Sequence, residues 1–290
     1  MSINIVPCLG QNGTAEEAAH FYTDAFANHT DTKILDLMRG PEGFSGTPGD
    51  VVSAQIMIAN QGITLLNMGD SAQLTPAHSF LVNFDPSTDD QAREHLDQLW
   101  EVITKDGQIL MPLDAYPFAE HYGWAMDKYG VGWQLMLTKP EGDPRPHLIP
   151  SLLFTGEQPK AAAALDLYKS ALPFEQGALA IKPEDPTGEG IMFTDFKLAD
   201  LWMSAMDGGP DHKFGFANGF SYMVWCDTQE QVDEIWEKLS AVPEAEQCGW
   251  LQDEFGLSWQ ILPKGLGEKV AQPGGFEKMM QMKKIDINEF

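Results

Sequence analysis

The phrase Gly-Trp-x-x-Asp-x-x-Gly-x-x-Trp-Gln occurs twice with small changes, as GWAMDKYGVGWQ at residues 123–134 and as GWLQDEFGLSWQ at residues 249–260. Both copies end in glutamine, Gln134 and Gln260. An amide donates and accepts hydrogen bonds, so on the inner side of a strand it can orient a ligand. It can equally tie its strand to a neighbouring group, because buried polar atoms need partners for stability alone. Trp124 and Trp250 add large apolar surface with a polar N–H. His121 and Tyr122 precede the first copy, and Cys248 precedes the second. An imidazole at 121 could exchange protons near neutral pH, but no nucleophile lies beside it and a structural role is favoured. A thiol at 248 is reactive only where its surroundings lower its pKa. Ser79 and Ser221 open a third matched pair, SFLVNFD and SYMVWCD.

The segments that must position these residues also come in pairs. NIVPCL leads to AEEAAHFYTDAF and HLIPSL to KAAAALDLYKSAL, each a short strand followed by a helix with apolar residues three and four apart. Tyr22 and Tyr168 sit in the two apolar stripes. VVSAQIMIANQGITLLNM and GIMFTDFKLADLWMSAM read as β-hairpins turning near Asn60–Gly62 and Ala199–Asp200. SFLVNFD and SYMVWCD are followed by acidic helices whose apolar faces carry Trp100 and Trp236. Acids in the first turns suit the positive end of the helix dipole. The closing phrase is strand, turn, strand, with its Asp and Gly in the turn. Four β-α-β-β-β units are therefore expected, in two domains joined by the proline-rich stretch KPEGDPRPH at residues 139–147. On a strand ending in Trp-Gln, Trp133 and Trp259 face away from Gln134 and Gln260.

Composition narrows the partners. Against 18 basic residues stand 43 acids, a formal charge of −25, which repels nucleic acid and favours cationic ligands. Three widely spaced cysteines, Cys8, Cys226 and Cys248, form neither a disulfide framework nor a metal clip. No run approaches a membrane span and MSINIVPCLG lacks a signal-peptide pattern, so a cytoplasmic protein without membrane contact is expected. The glycine-rich RGPEGFSGTPGD lacks the ending and context of a phosphate loop and is expected to be a loop between strands.

In their order and spacing, these motifs resemble the vicinal oxygen chelate superfamily, the glyoxalase and bleomycin-resistance fold. Within it they resemble the PhnB-like branch, whose domains are labelled 3-demethylubiquinone-9 3-methyltransferase. The twice-written phrase marks that branch, and MPL at 111–113 and YGW at 122–124 also fit. The resemblance implies an α+β fold of two tandem glyoxalase-like domains, residues 1–140 and 147–264. Each would hold two βαβββ units forming curved mixed sheets around a cleft. The residues themselves, and not the resemblance, make 265–290 a C-terminal helical extension, its helix expected at Phe276–Lys284 and its basic character there suggesting docking on the protein itself or across a dimer.

In metal-using relatives, the resemblance implies, one divalent ion is held by His or Glu from the first, fourth, fifth and last strands. Here those positions fall on Pro7 and Pro150, on Thr64 or Leu65 and Trp202 or Met203, on Ser79 and Ser221 (His78 adjoining the former), and on Gln134 and Gln260. Proline has no donor atom, and an amide binds a divalent ion far more weakly than a carboxylate. No metal ion and no cofactor is expected. CLGQNGTAEE, after the first strand, lacks the Gly-rich turn that a nucleotide-like methyl donor would need, so methyltransferase activity is not expected.

The function these observations imply is binding of a small molecule, cationic or aromatic, in apolar clefts without metal. The candidate ligand contacts are Gln134, Gln260, Trp124, Trp250, Ser79, Ser221, His121, Tyr122 and Cys248. Trp202, Phe44, Phe193, Phe214 and Phe216 add aromatic surface that could line a pocket or fill a core. One alternative is a metal-dependent lyase or isomerase like glyoxalase, with His78, His121 or Glu120 as acid or base. Another is a structural or interaction module with closed clefts. Fusion of two domains that pair in ordinary relatives allows a monomer; a homodimer is the other possibility.

Overall fold

In the computed structural model of this chain, residues 3–40, 49–183 and 190–290 are described. Phe44 and most of the glycine-rich stretch lie outside them. The fold is α+β with mixed sheets, and chain contacts divide it into one unit of residues 8–153 and another of residues 154–290 with the N-terminal stretch through Pro7.

In the first unit the chain runs through β1 (Asn4–Gln11, which straddles the division), α1 (Ala15–Phe26), β2 (Thr32–Arg39), β3 (Val51–Ile58) and β4 (Gln61–Asn67). It continues through β5 (His78–Phe84), α2 (Ala92–Thr104), β6 (Gln108–Tyr116), β7 (Ala119–Met126) and β8 (Gly132–Leu137), and enters β9 (Leu148–Thr155). β4 lies parallel to β1 and antiparallel to β3, which pairs with β2. The turn from β3 to β4 holds Ala59 and Asn60 at φ 49° and 66°, the left-handed pair that a two-residue hairpin requires. β5 lies parallel to β8, followed by β7 and β6 in antiparallel order. On its other side β5 takes β9 as an antiparallel neighbour, with Ser79 opposite Ser151. The strand that opens the second repeat thus extends the sheet of the first repeat's second βαβββ unit.

The second unit continues through α3 (Ala161–Ala171), β10 (Phe174–Ile181), β11 (Ile191–Leu198), β12 (Leu201–Gly209), β13 (Phe220–Cys226), α4 (Gln229–Leu239), β14 (Trp250–Gln252) and β15 (Ser258–Pro263). β10, β11 and β12 are antiparallel neighbours; β15 lies parallel to β13 and antiparallel to β14.

Helices α1 and α3 lack a cap from their own N-terminal side chains. Their orphan amides are met by the corresponding strand, β4 or β12. Asn67 accepts from the Ala15 amide at 3.1 Å and donates to the Val51 carbonyl at 2.7 Å. At the matching place Asp207 accepts from the amides of Lys160, Ala161 and Ile191 at 2.8 to 3.0 Å. Helix α4 instead carries a reciprocal capping box between Thr228 and Gln231.

One expectation needs correction. Among the described residues the fourth unit has one strand fewer than β-α-β-β-β, with none where β6 stands in the second unit. Gly123 follows Trp100 by 23 positions, but Gly249 follows Trp236 by only 13. The missing residues are those of a hairpin strand, and a short 3-10 turn, Pro243–Ala245, takes their place. The C-terminal extension, with α5 (Leu266–Val270) and α6 (Gly275–Gln281), runs alongside instead. The amides of Cys248 and Gly249 donate to the carbonyls of Met282 and Lys283 at 2.9 and 2.7 Å. Ile285 is buried with Leu262 and Leu266, and Lys283 and Lys284 pair with Glu246 and Asp233 at 3.0 and 2.5 Å. The tail therefore docks on the unit that precedes it through an apolar cluster and its two adjacent lysines. No described helix is long and apolar enough to cross a membrane.

Candidate functional site

The repeated Asp and Trp form the frame of the site. In the first repeat Asp127 accepts from the amides of Tyr129 and Val131, from the Trp133 indole at 2.8 Å and from the Tyr22 hydroxyl of α1 at 2.8 Å. In the second, Asp253 accepts from the amides of Phe255 and Leu257 and, at 3.0 Å each, from Trp259 and Tyr168. Burial pushes both carboxyls above their usual range, while the four donors pull the other way. Burial, then the facing carboxylate, raises both tyrosines well above theirs. The Asp does more than make a turn: it bolts the closing hairpin to the repeat's first helix. Phe26 and Phe80 pack on Trp133 at ring distances of 5.4 and 5.3 Å, completing the helix-facing side.

Alternation then puts Gln134 on the opposite face of β8, where it is 5% exposed. Its Nε2 donates to the Ser79 hydroxyl at 2.6 Å and the Ser151 hydroxyl at 3.3 Å, and its Oε1 accepts from the Tyr122 hydroxyl at 2.8 Å. Ser79 fits because its neighbour on β8 is Gly132, where any Cβ would come within 2.9 Å of the serine's own. Trp124 sits opposite Gln134 in the β7–β8 register, so its side chain lies on the same face. Tyr116 and Phe118 stack at 5.6 Å and both meet Tyr122 edge-on, at 5.8 and 5.0 Å. Phe118 is 56% exposed. Burial raises the Tyr122 phenol above its ordinary range, so it remains a neutral donor at physiological pH.

The second repeat has a reduced version. Gln260 donates to the Ser221 hydroxyl at 3.0 Å, and Trp250 lies opposite it on β14. Where Tyr122 stands in the first repeat, Cys248 stands in the second. It has a left-handed φ of 51°, and its thiol lies 3.4 Å from the Met279 carbonyl and 3.6 Å from Met280 Sδ. Cys248 is thus part of the tail's docking surface, and its grouping with the site is corrected.

His121 is likewise removed from the site, because alternation along β7 turns it to the helix side as Tyr122 turns to Gln134. There its Nε2 lies 2.6 Å from Asp97 and its Nδ1 3.4 Å from Arg93, both on α2. Glu120 is exposed. His78 is buried beside Ser79 on the other face, and burial lowers its pKa to about 3. Among the further aromatics, Phe216 meets Phe154 edge-on at 4.9 Å, Phe214 lies 5.1 Å from His212, and Phe193 and Trp202 sit on β11 and β12.

The first-strand position is also corrected. Ser151, not Pro150, faces Gln134; Pro150 lies opposite Phe80 on the helix side. A slip of one residue reverses the face, and residue counting across a loop of different length makes such a slip easily. The three hydroxyls that meet there, of Ser79, Ser151 and Tyr122, are each hydrogen-bonded to the Gln134 amide. This donor set does not fit a divalent ion, which calls for carboxylate, imidazole or thiolate. Among the described residues no three His, Cys, Asp or Glu side chains are placed to hold a metal ion. Ser151, Tyr116 and Phe118 were missed by sequence reasoning, and the alternation of β9 was the signal that could have found the first.

Comparison with known proteins adds three findings. The family described as 3-demethylubiquinone-9 3-methyltransferase matches residues 3–136 and again 146–262. None of the curated proteins matches the chain. Among solved structures, a PhnB protein from Bacillus cereus is 34% identical over 46% of this chain and 98% of its own, with a TM-score of 0.41. Glyoxalase I from Zea mays covers 98% of both chains at 11% identity with a TM-score of 0.54, a likeness of fold.

Proposed function

Both halves of the chain belong to the 3-demethylubiquinone-9 3-methyltransferase family, and from this premise we propose a metal-independent small-molecule-binding protein whose principal site is the Gln134 face of the first repeat. The observation that carries this reading is an uncharged hydrogen-bonding set, Gln134 with Ser79, Ser151 and Tyr122, bordered by Trp124, Tyr116 and Phe118. Such a surface suits a flat aromatic ligand. Its faces meet the rings, and its polar edge takes over the hydroxyl contacts of Gln134. The side chains bonded to Gln134 offer no carboxylate or imidazole, and Tyr122 holds its proton too tightly to act as a base. Retention of a ligand fits that chemistry better than its conversion. The methyl transfer in the family's description finds no support in the turn after β1, where Gln11-Asn12-Gly13-Thr14 leads into α1 without a glycine-rich loop. The formal charge of −25 favours cationic members of the aromatic class by raising their local concentration.

The test is thermal unfolding and fluorescence titration of chelator-stripped protein against planar heteroaromatic cations and their neutral analogues. A ligand at a hundredfold its Kd should stabilise by about 2.7 kcal/mol. Gln134→Leu should abolish that gain and Gln260→Leu should leave it. A gain insensitive to Gln134→Leu would move the site elsewhere. An EDTA-reversible gain with Ni, Zn, Mn, Fe(II) or Mg would overturn metal independence.

A further inference from the structure

Three histidines meet where the first repeat ends. His29 follows α1, His95 lies on α2 and His147 immediately precedes β9. The ring of His29 lies 5.4 Å from that of His147 and stacks on that of His95 at 5.8 Å. Phe26 and Phe84 close the apolar side, each 5.3 Å from His29. His95 Nδ1 is 2.6 Å from the Asp89 carboxylate, and His147 Nδ1 is 2.8 Å from the Asn83 carbonyl. Asn83 holds the same segment twice more: its amide donates to the His147 carbonyl at 2.7 Å and its side chain to the Pro146 carbonyl at 2.8 Å. The Nε2 atoms of His29 and His147 are buried and have no hydrogen-bond partner among the described residues.

We propose that His29 and His147, packed against His95, form a proton-operated latch, which clasps Pro146–His147 to Asn83 while both are neutral and releases it in acid. Neutral imidazoles tolerate this packing. A proton on the Nε2 of His29 or His147 would be buried without an acceptor. Asp89 is the charged group that faces the cluster. It favours protonation of both His29 and His147, but burial and the neighbouring histidines outweigh it at His29. The pKa of His29 is thereby lowered to about 4, and burial also lowers that of His147. The sign follows from linkage. Opening lets His29 and His147 take up protons near the ordinary histidine value of 6.5, whereas in the closed form burial lowers both, His29 to about 4. The bias toward opening therefore starts as pH falls through 6.5 and grows until about pH 4.

The Asn83 amide reports the latch directly. NMR-detected hydrogen exchange at pH 7 and pH 5, corrected for the intrinsic pH dependence of exchange, should show its protection falling at least about tenfold. Leu135 in β8 should keep its protection. His29→Phe, which retains the packing on Phe26 and Phe84, should flatten the change at Asn83. His95→Gln serves the same purpose if the first variant folds poorly. Equal protection of Asn83 at both pH values would overturn the latch. So would a parallel loss at Leu135, which signals global unfolding, or an unaltered pH response in both variants. Zinc that raised Asn83 protection at pH 7 through these histidines would replace the latch with a metal site.

Discussion

The two repeats carry the same frame and differ on the face that it presents. Asp127 and Asp253 each gather an indole, a phenol and two amides, with distances that agree within a few tenths of an ångström. The glycine that opens each phrase is required for a different reason in each. Gly123 makes room for the Trp100 ring, which a Cβ would meet at 2.5 Å. Gly249 has a left-handed φ of 86° and lies against Leu262 and Ile285, following the turn taken by Cys248. One residue before that glycine, a tyrosine donates to Gln134 in the first repeat and a cysteine meets the tail in the second. Duplication preserved what holds the hairpin to its helix. The opposite face differs between the repeats, and where the first has β6 the second has, among the described residues, the C-terminal tail bonded to Cys248 and Gly249.

The largest expected effect tests the shared frame. Asp127→Ala and Asp253→Ala each leave four buried donors without an acceptor, and each should cost about 3 to 5 kcal/mol in urea unfolding. A cost under about 1 kcal/mol at either Asp would break the equivalence of the two frames. Next is the glycine contrast. Gly123→Ala should destabilise by about 1 to 3 kcal/mol through overpacking, and Trp100→Leu should recover much of that loss in a double-mutant cycle. Gly249→Ala should show a comparable loss that Trp236→Leu does not relieve, because its cause is backbone conformation and contact with the tail. Tyr122→Phe removes one hydrogen bond to Gln134 and should cost about 1 kcal/mol, with weaker ligand retention in the titration above. Cys248→Ala should leave ligand retention unchanged. Smallest is the tail: Lys283→Ala or Lys284→Ala should cost less than about 1 kcal/mol, and the difference should vanish in high salt.

Much of the fold was legible because it is written in local periods. Apolar residues three and four apart marked α1 to α4, and Asn60–Gly62 marked the β3–β4 turn. Alternation separated Trp133 from Gln134. The length difference between Trp100–Gly123 and Trp236–Gly249 already encoded the lost strand, although motif matching alone passes over it. The site was legible only in part. Gln134, Ser79, Tyr122 and Trp124 lie together as their positions suggested. His121, a ligand candidate better suited by its sequence setting to a structural role, lies on the helix side, because a residue next to a phrase is not on the same face of its strand. Ser151 was overlooked because its strand belongs to the next repeat.

The sequence by itself determined that the chain is a duplication, which segments are strands and helices, and which residues share a face within each element. These follow from steric periods of 2 and 3.6 residues that act over a few positions. Tertiary structure alone decided that Asp127 reaches across to Tyr22, that β5 takes β9 as its neighbour and so brings Ser151 to Gln134, and that the C-terminal tail bonds to the Cys248–Gly249 backbone beside β14. Those outcomes depend on register and partner choice between segments far apart in the chain. Non-local packing and the need to satisfy buried polar groups set them, and neither is visible in a local pattern.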